Sequence, residues 1–152
     1  MIKTYNPDFK VTILEKMNGP SFLNHIGFTL TNITEGKIEG ELFLKDYHKQ
    51  SRGIMHGGLT ATLADTVAGY AAVTLIPKNH HVVTVELKIS YLYPGYGPKI
   101  WARGWVLKQG KKLNFCEAEV FSLKENEEPV LIAKASVTMA TLYPEDTKKN
   151  AT

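Results

Sequence analysis

From Gly57 to Leu75 the chain reads GGLTATLADTVAGYAAVTL, and this run constrains the fold more than any other. Leu59, Leu63, Val67, Tyr70 and Thr74 fall at three- and four-residue spacing, which is the period of a helix. The other positions are mostly Ala, Thr and Gly, and the single charged residue is Asp65. A helix that is small or apolar all round is expected to be buried on every side. Pro77 stops it. Other elements must therefore wrap around it.

Those elements read as strands. GFTLTNI and KIEGELFLK, between Gly27 and Lys45, are two strands joined at Thr34-Glu35-Gly36. A loop from Asp46 to Met55 leads into the helix. Beyond it Val83, Val85, Leu87, Ile89 and Tyr91 alternate with Thr84, Glu86, Lys88 and Ser90, the period of a half-buried strand. Pro94-Gly95 and Gly97-Pro98 mark a turn. Ile100 to Leu107, Leu113 to Leu123 and Val130 to Leu142 give three more strands, with hairpin turns at Gln109-Gly110 and Glu125-Asn126. The expected order is two strands, a buried helix, then a four-stranded meander. Hairpin-linked strands imply one antiparallel sheet, curled around the one long helix in an α+β architecture. Asp8 to Leu23 reads as helical, broken at Gly19-Pro20. The 152 residues suit a single domain, 1–152, with a flexible tail over 143–152.

Composition narrows the function classes. The net charge of +3 is mild and the lysines are scattered, apart from Lys108, Lys111 and Lys112, so no nucleic-acid partner is expected. The polar start MIKTYNPDFK has no apolar leader, and no uncharged apolar run reaches membrane-spanning length. One cysteine, Cys116, excludes an internal disulfide and fits a reducing compartment. The expectation is a cytoplasmic protein without a membrane partner. His80 and His81 are adjacent and would point to opposite faces of a strand. With no zinc-type Cys/His spacing, no metal site is expected.

Two features carry chemistry. A carboxylate in a buried helix is costly unless paired or hydrogen-bonded. Asp65 is thus either a structural acid satisfied by the Thr62 or Thr66 hydroxyls, or a catalytic carboxylate at a cleft. His56-Gly57-Gly58 opens the helix, where unpaired N–H groups and a partial positive charge are presented. The Gly57 N–H could polarise a carbonyl and hold the resulting oxyanion, or the glycines could simply make a tight turn. His56 is a cap or a catalyst. Eight residues separate Gly57 from Asp65, about 12 Å along a helix axis. Groups acting on one carbonyl must converge within a few ångströms, so one helix cannot supply both. A two-fold partner with an antiparallel helix could.

The run Gln50-Ser51-Arg52-Gly53-Ile54-Met55-His56-Gly57-Gly58, continued to Asp65, resembles the signature of the small hotdog-fold acyl-CoA thioesterases of the phenylacetate-pathway and thioesterase-superfamily-member-two type. Val85 to Tyr91 and Val106 to Leu113 resemble that family too, and the likeness spans roughly Ile26 to Leu142. It implies a hotdog fold, a homo-oligomer with its site at the dimer interface, and a dimer of dimers as the larger assembly. It implies acyl-CoA as substrate and no separate cofactor, since coenzyme A belongs to the substrate. Gly57 would bind the thioester carbonyl. Asp65 would activate water or attack directly, and Thr84 would help position the water. The turn carrying Lys108, Gly110, Lys111 and Lys112 would meet the coenzyme A phosphates. The family's carbonyl-holding Asn is Gln50 here, one methylene longer. By strand parity Thr84 points away from the Val83 and Val85 face, so it serves only if its own face borders the neighbouring subunit.

Two other readings compete. A hydratase of the same fold would use an Asp and a His, and Asp46 and His48 are close in sequence. A non-catalytic acyl-CoA-binding or sensing protein would keep the pocket and the lysines but need no Asp65.

Overall fold

The computed structural model describes residues 1–148. Its centre is the helix α3, Gly57–Val73, 17 residues long, which starts at the expected residue and ends two residues before Leu75. Leu63, Val67, Ala68 and Ala71 have no exposed surface. They face a six-stranded antiparallel sheet made of β1 (Phe28–Thr34), β2 (Lys37–Phe43), β3 (His81–Tyr91), β4 (Lys99–Lys108), β5 (Leu113–Leu123) and β6 (Val130–Leu142). Two short helices, α1 (Phe9–Met17) and α2 (Phe22–Ile26), precede the sheet and are separated at Gly19-Pro20. This is the hotdog arrangement that the resemblance implies.

The inner sheet face is apolar. Ile38, Leu42, Ile100, Ala102, Val120 and Met139 are buried. The outer face is wet and charged. Across β2, β4, β5 and β6 one row pairs Glu39 with Arg103, Arg103 with Glu119, and Glu119 with Lys134. Opposite charges thus sit side by side, a favourable cross-strand pattern. Cys116 is free and lies on the buried face, where burial pushes its thiol up to about 12. No helix among the described residues is long and apolar enough to cross a membrane.

Helix and sheet touch most closely at Gly104 of β4. A Cβ placed there would lie 2.6 Å from the Val67 carbonyl carbon and 2.7 Å from the Ala68 nitrogen. Only glycine lets two backbones approach so far.

Three expectations need correction. The strand order is β1-β2-β4-β5-β6-β3, so β3 to β6 is not a simple meander. β3 pairs with β6 and forms the sheet edge. The Pro94 to Pro98 segment is a crossing rather than a hairpin turn. Its backbone is bonded to other elements: Leu92 N–H to Ile132 O at 2.8 Å, Met55 N–H to Gly95 O at 3.1 Å, and Leu44 N–H to Pro98 O at 2.7 Å.

The second correction concerns β3 itself. Its alternation is broken by a β-bulge at Val85, because the register passes from Thr84↔Met139 directly to Glu86↔Thr138. One extra residue switches the face of everything beyond it. Val82, Leu87 and Ile89 pack on the core, whereas Val83 and Val85 are exposed.

Third, α3 is not buried on every side. Ala61, Thr62, Asp65, Thr66 and Gly69 are half-buried, because the sheet of one chain wraps only one side of the helix. Pro144–Lys148 is a short helix, α4, and the Tyr143 hydroxyl donates to Lys111 O at 3.3 Å. Residues 149–152 of that expected tail lie outside the described residues.

Gly104→Val should destabilise the fold by about 3 kcal/mol, the upper range for forcing extra atoms into a packed interior. Urea unfolding followed by circular dichroism checks this. A midpoint equal to wild type would show that α3 can retreat from β4.

Candidate active site

The loop before α3 is held from below. His48 is 4% exposed, its Nδ1 accepts the Lys45 N–H at 3.0 Å, and its carbonyl accepts the His56 N–H at 2.9 Å. Burial, opposed in part by the Ile26 backbone, lowers the imidazole pKa of His48 and favours the neutral ring. Asp46 is exposed and ion-paired with Lys49 at 2.8 Å, which holds its carboxyl below the usual range. The Asp46 and His48 side chains therefore do not converge as a hydratase pair would need.

His56 is the N-cap of α3, with its Nδ1 accepting the Gly58 N–H at 2.9 Å. The Gly57 carbonyl accepts from the Tyr91 hydroxyl at 2.9 Å. The Gly57 N–H has no partner among the described residues, as expected of a first-turn donor. Gly57 lines a cleft of about 330 Å³ together with Gln50, Met55, Tyr91 and Ile132. The Gln50 side-chain oxygen turns back to accept the Arg52 N–H at 2.6 Å. This leaves the amide NH₂ of Gln50 as the donor available to a ligand.

Asp65 belongs to a different cleft, of about 310 Å³, shared with Thr84, Thr66, Tyr70 and Met139. The Thr84 hydroxyl donates to Asp65 Oδ1 at 2.6 Å. Strand parity sets Thr84 opposite the Val83 and Val85 face, and it does lie opposite the exposed Val83. The Val85 bulge lies beyond it, so Thr84 shares the inward side with Val82 and faces α3 of its own chain. The alternative partners of Asp65 also fall away. The Thr62 hydroxyl donates to Gly58 O at 3.0 Å, and no bond joins Thr66 to Asp65. Oδ2 of Asp65 has no hydrogen-bond partner among the described residues.

The clefts of Gly57 and Asp65 are thus separate within one chain. The Lys108 to Lys112 turn is farther still. Gly110 and Lys111 border a cavity of about 460 Å³ with Leu75, His80 and Tyr143, beyond the C-terminal end of α3. A 17-residue helix is about 25 Å long, so these lysines cannot reach the Gly57 of their own chain. A Cβ at Gly110 would lie 2.2 Å from the Leu113 carbonyl oxygen, which fixes glycine in this turn. Among the described residues no three His, Cys, Asp or Glu side chains gather closely enough to hold a metal ion.

With this geometry in view, the relatives can be placed. The sequence model of the thioesterase superfamily matches residues 52–128, which contain Gly57, Asp65, Thr84 and the lysine turn. The chain belongs to the thioesterase superfamily. A Caenorhabditis elegans relative is 30% identical over 136 residues, 88% of this chain and 78% of its own length. Human acyl-coenzyme A thioesterase 13 is 34% identical over 93 residues, 60% of this chain and 66% of its own length. A thioesterase family protein from Silicibacter pomeroyi superposes with a TM-score of 0.85 at 25% identity, covering 88% of this chain and 98% of that one. The shared fold is therefore the thioesterase hotdog, and thioester hydrolysis is the class of chemistry that membership brings.

Tyr91 was missed as a neighbour of the site. The only signal in sequence was its place at the end of the strand after the helix, which the bulge obscured.

His56→Ala should lower stability by about 1 kcal/mol through loss of the cap. His56→Asn, which supplies another capping side chain, should restore both stability and turnover. A stable Asn variant that stays inactive would instead make His56 a group in contact with substrate.

Proposed function

We propose that this chain hydrolyses acyl-CoA thioesters at two equivalent sites shared between two copies of itself. The observation that carries the reading is the separation just described. Asp65 is oriented by Thr84 on one cleft, and the Gly57 N–H, without a partner among the described residues, opens on another, eight residues away on one helix. Each is half of a hydrolytic site. An isologous partner with its α3 antiparallel would bring its Asp65 to the first chain's Gly57. The same operation carries the C-terminal end of the partner's helix, with its Lys108, Lys111 and Lys112, towards that Gly57.

The surface suits such a partner. β3 is an open sheet edge carrying the exposed Val83 and Val85. Beside it lies the half-buried face of α3 at Ala61, Thr62, Asp65 and Gly69. An apolar edge of this length left in water invites pairing. Two such dimers would form the dimer of dimers.

In the reaction the thioester carbonyl accepts the Gly57 N–H, with the Gln50 amide as second donor. Oδ2 of Asp65 takes a proton from water while Oδ1 stays bonded to Thr84. The hydroxide attacks the carbonyl carbon, and the negative charge on oxygen is held at the helix N-terminus. Collapse breaks the C–S bond, and the coenzyme A thiolate takes the proton from Asp65. Direct attack by Asp65, giving an anhydride that water then cleaves, uses the same geometry. No cofactor is needed, because coenzyme A arrives and leaves as part of the substrate. The buried free thiol of Cys116 accords with a cytoplasmic setting.

Asp65→Asn should cut turnover by about a hundredfold to ten-thousandfold with the fold intact. Gly57→Pro removes the donor at the first helical position, and His56 already has the extended backbone that proline requires, φ −67° and ψ 132°. Each variant alone should be inactive. Refolded together, half of the dimers should be mixed with one intact site each, restoring roughly a quarter of wild-type activity. No recovery, with mixed dimers shown to form, would refute the shared site. Wild-type binding of acyl-CoA without thiol release would point to a sensor instead.

Lys111→Ala combined with Lys112→Ala should raise KM for acyl-CoA much more than it lowers kcat. Acyl-pantetheine, which lacks the nucleotide phosphates, should be little affected. Equal loss on both substrates would remove these lysines from phosphate recognition.

A further inference from the structure

Each chain must aim two groups, the Asp65 carboxylate for one site and the Gly57 N–H for the other. The strand β3 reaches both. Near its start the Thr84 hydroxyl donates to Asp65 Oδ1 at 2.6 Å, and at its last residue the Tyr91 hydroxyl donates to the Gly57 carbonyl at 2.9 Å. Thr84 and Tyr91 are seven residues apart, an odd number, so a regular strand would send them to opposite faces. The bulge at Val85 takes one residue out of the alternation. Thr84 then shares a face with Leu87, Ile89 and Tyr91, and both hydroxyls meet α3. Bulges beside active sites re-aim side chains in this way.

Gly57 needs such a hold. An oxyanion donor works by being aimed in advance, and glycine has the least intrinsic restraint of any residue. In the first turn of α3 the Gly58 N–H goes to His56 Nδ1 at 2.9 Å, and the Leu59 and Thr60 N–H groups go to the His56 carbonyl at 3.0 and 3.2 Å. These bonds tie the turn to its own cap. The Tyr91 hydroxyl ties it to the sheet. Its mount is firm, because Tyr91 is in register with Ala133 of β6 and the Leu92 N–H donates to Ile132 O at 2.8 Å. The ring lies against Gly57, with Cε1 3.4 Å from where a Cβ would stand. Tyr91 is 54% exposed, and a hydrogen bond that water can replace adds little to folding. The bond therefore acts on direction more than on stability.

We infer that Tyr91 is a positioning residue of the hydrolysis: its hydroxyl, acting through the Gly57 carbonyl, sets the line of the Gly57 N–H towards the thioester oxygen. With Thr84 it makes β3 the strand that aligns both half-sites of a chain, and the Val85 bulge is what permits this.

This inference rests on the shared-site reading, and the mixed dimers separate the two. Tyr91→Phe removes a single oxygen. In the otherwise wild-type chain it should lower kcat and kcat/KM together by about tenfold, part of the roughly hundredfold to thousandfold loss of a whole oxyanion donor. Acyl-CoA and acyl-pantetheine should suffer alike, and the urea midpoint should match wild type. In refolded mixtures of Asp65→Asn and Gly57→Pro chains, the working site takes its N–H from the Asp65→Asn chain. The loss should follow that N–H. It should be about tenfold with Tyr91→Phe in the Asp65→Asn chain, and absent with it in the Gly57→Pro chain, which has no donor left to aim. Wild-type kcat in the single variant, or an equal loss whichever chain carries the change, would overturn the inference and leave the shared site standing. A rise in KM alone would overturn it too, and make Tyr91 a substrate contact. If wild type releases no thiol, or the unaltered mixture regains no activity, the reading beneath falls and takes this inference with it.

Discussion

The backbone of α3 lies directly on β4 because residue 104 has no side chain. At that point the Val67 carbonyl and the Ala68 nitrogen occupy the space that any Cβ would need. Ala64, Ala68, Ala71 and Ala72 extend the same economy along the helix, all of them fully or almost fully buried. A helix this close to its sheet is held in depth and in rotation, since packed interiors resist even small shifts of volume. Every candidate site position on the helix depends on that. Rotation decides that Asp65 emerges beside β3, and depth decides that Thr84 reaches it at 2.6 Å. The N-terminus is fixed separately, through His48, His56 and Tyr91.

Asp65 shows how a costly group is accommodated. A carboxylate amid small and apolar residues would be strongly disfavoured if it were sealed in. Here it stands on the one face of α3 that the sheet leaves half open, with one oxygen hydrogen-bonded and the other without a partner among the described residues. The price of keeping the acid is thus an incomplete surface, and the same incompleteness makes the residue accessible to a water or a substrate.

Much of this was legible in the chain. The helix is readable because its period and its composition agree, and a lone acid in it announces itself. The His-Gly-Gly start, the spacing to Asp65 and the antiparallel sheet are local or periodic features, which sequence records well. The sheet order is not of that kind. β3 could have paired with β4 through a turn, and only the bonds from Leu92, Met55 and Leu44 to distant elements show the crossing. The core face of β3 was misread for a related reason. A bulge at Val85 leaves no mark in composition, so alternation set Thr84 opposite Val83 but grouped Val83 and Val85 with the core-facing Leu87 and Ile89. The open face of α3 was hidden too. An apolar helix reads as buried whether its own sheet covers it or a second chain is needed to do so.

The pairing of β3 with β6 has a kinetic side. Asp65 is positioned by contacts within four residues along the helix, formed on the microsecond scale. Its partner Thr84 is placed by register with Met139, 55 residues later in the chain. Contacts of such long range are slow to form, because loop-closure entropy is lost before the strands reward it. The Asp65–Thr84 contact therefore joins two consecutive elements, but the second is seated only by the last strand of the sheet. During synthesis the ribosome must release β6 before the acid on α3 has its hydroxyl, so a nascent chain lacking β6 carries the signature without the oriented carboxylate.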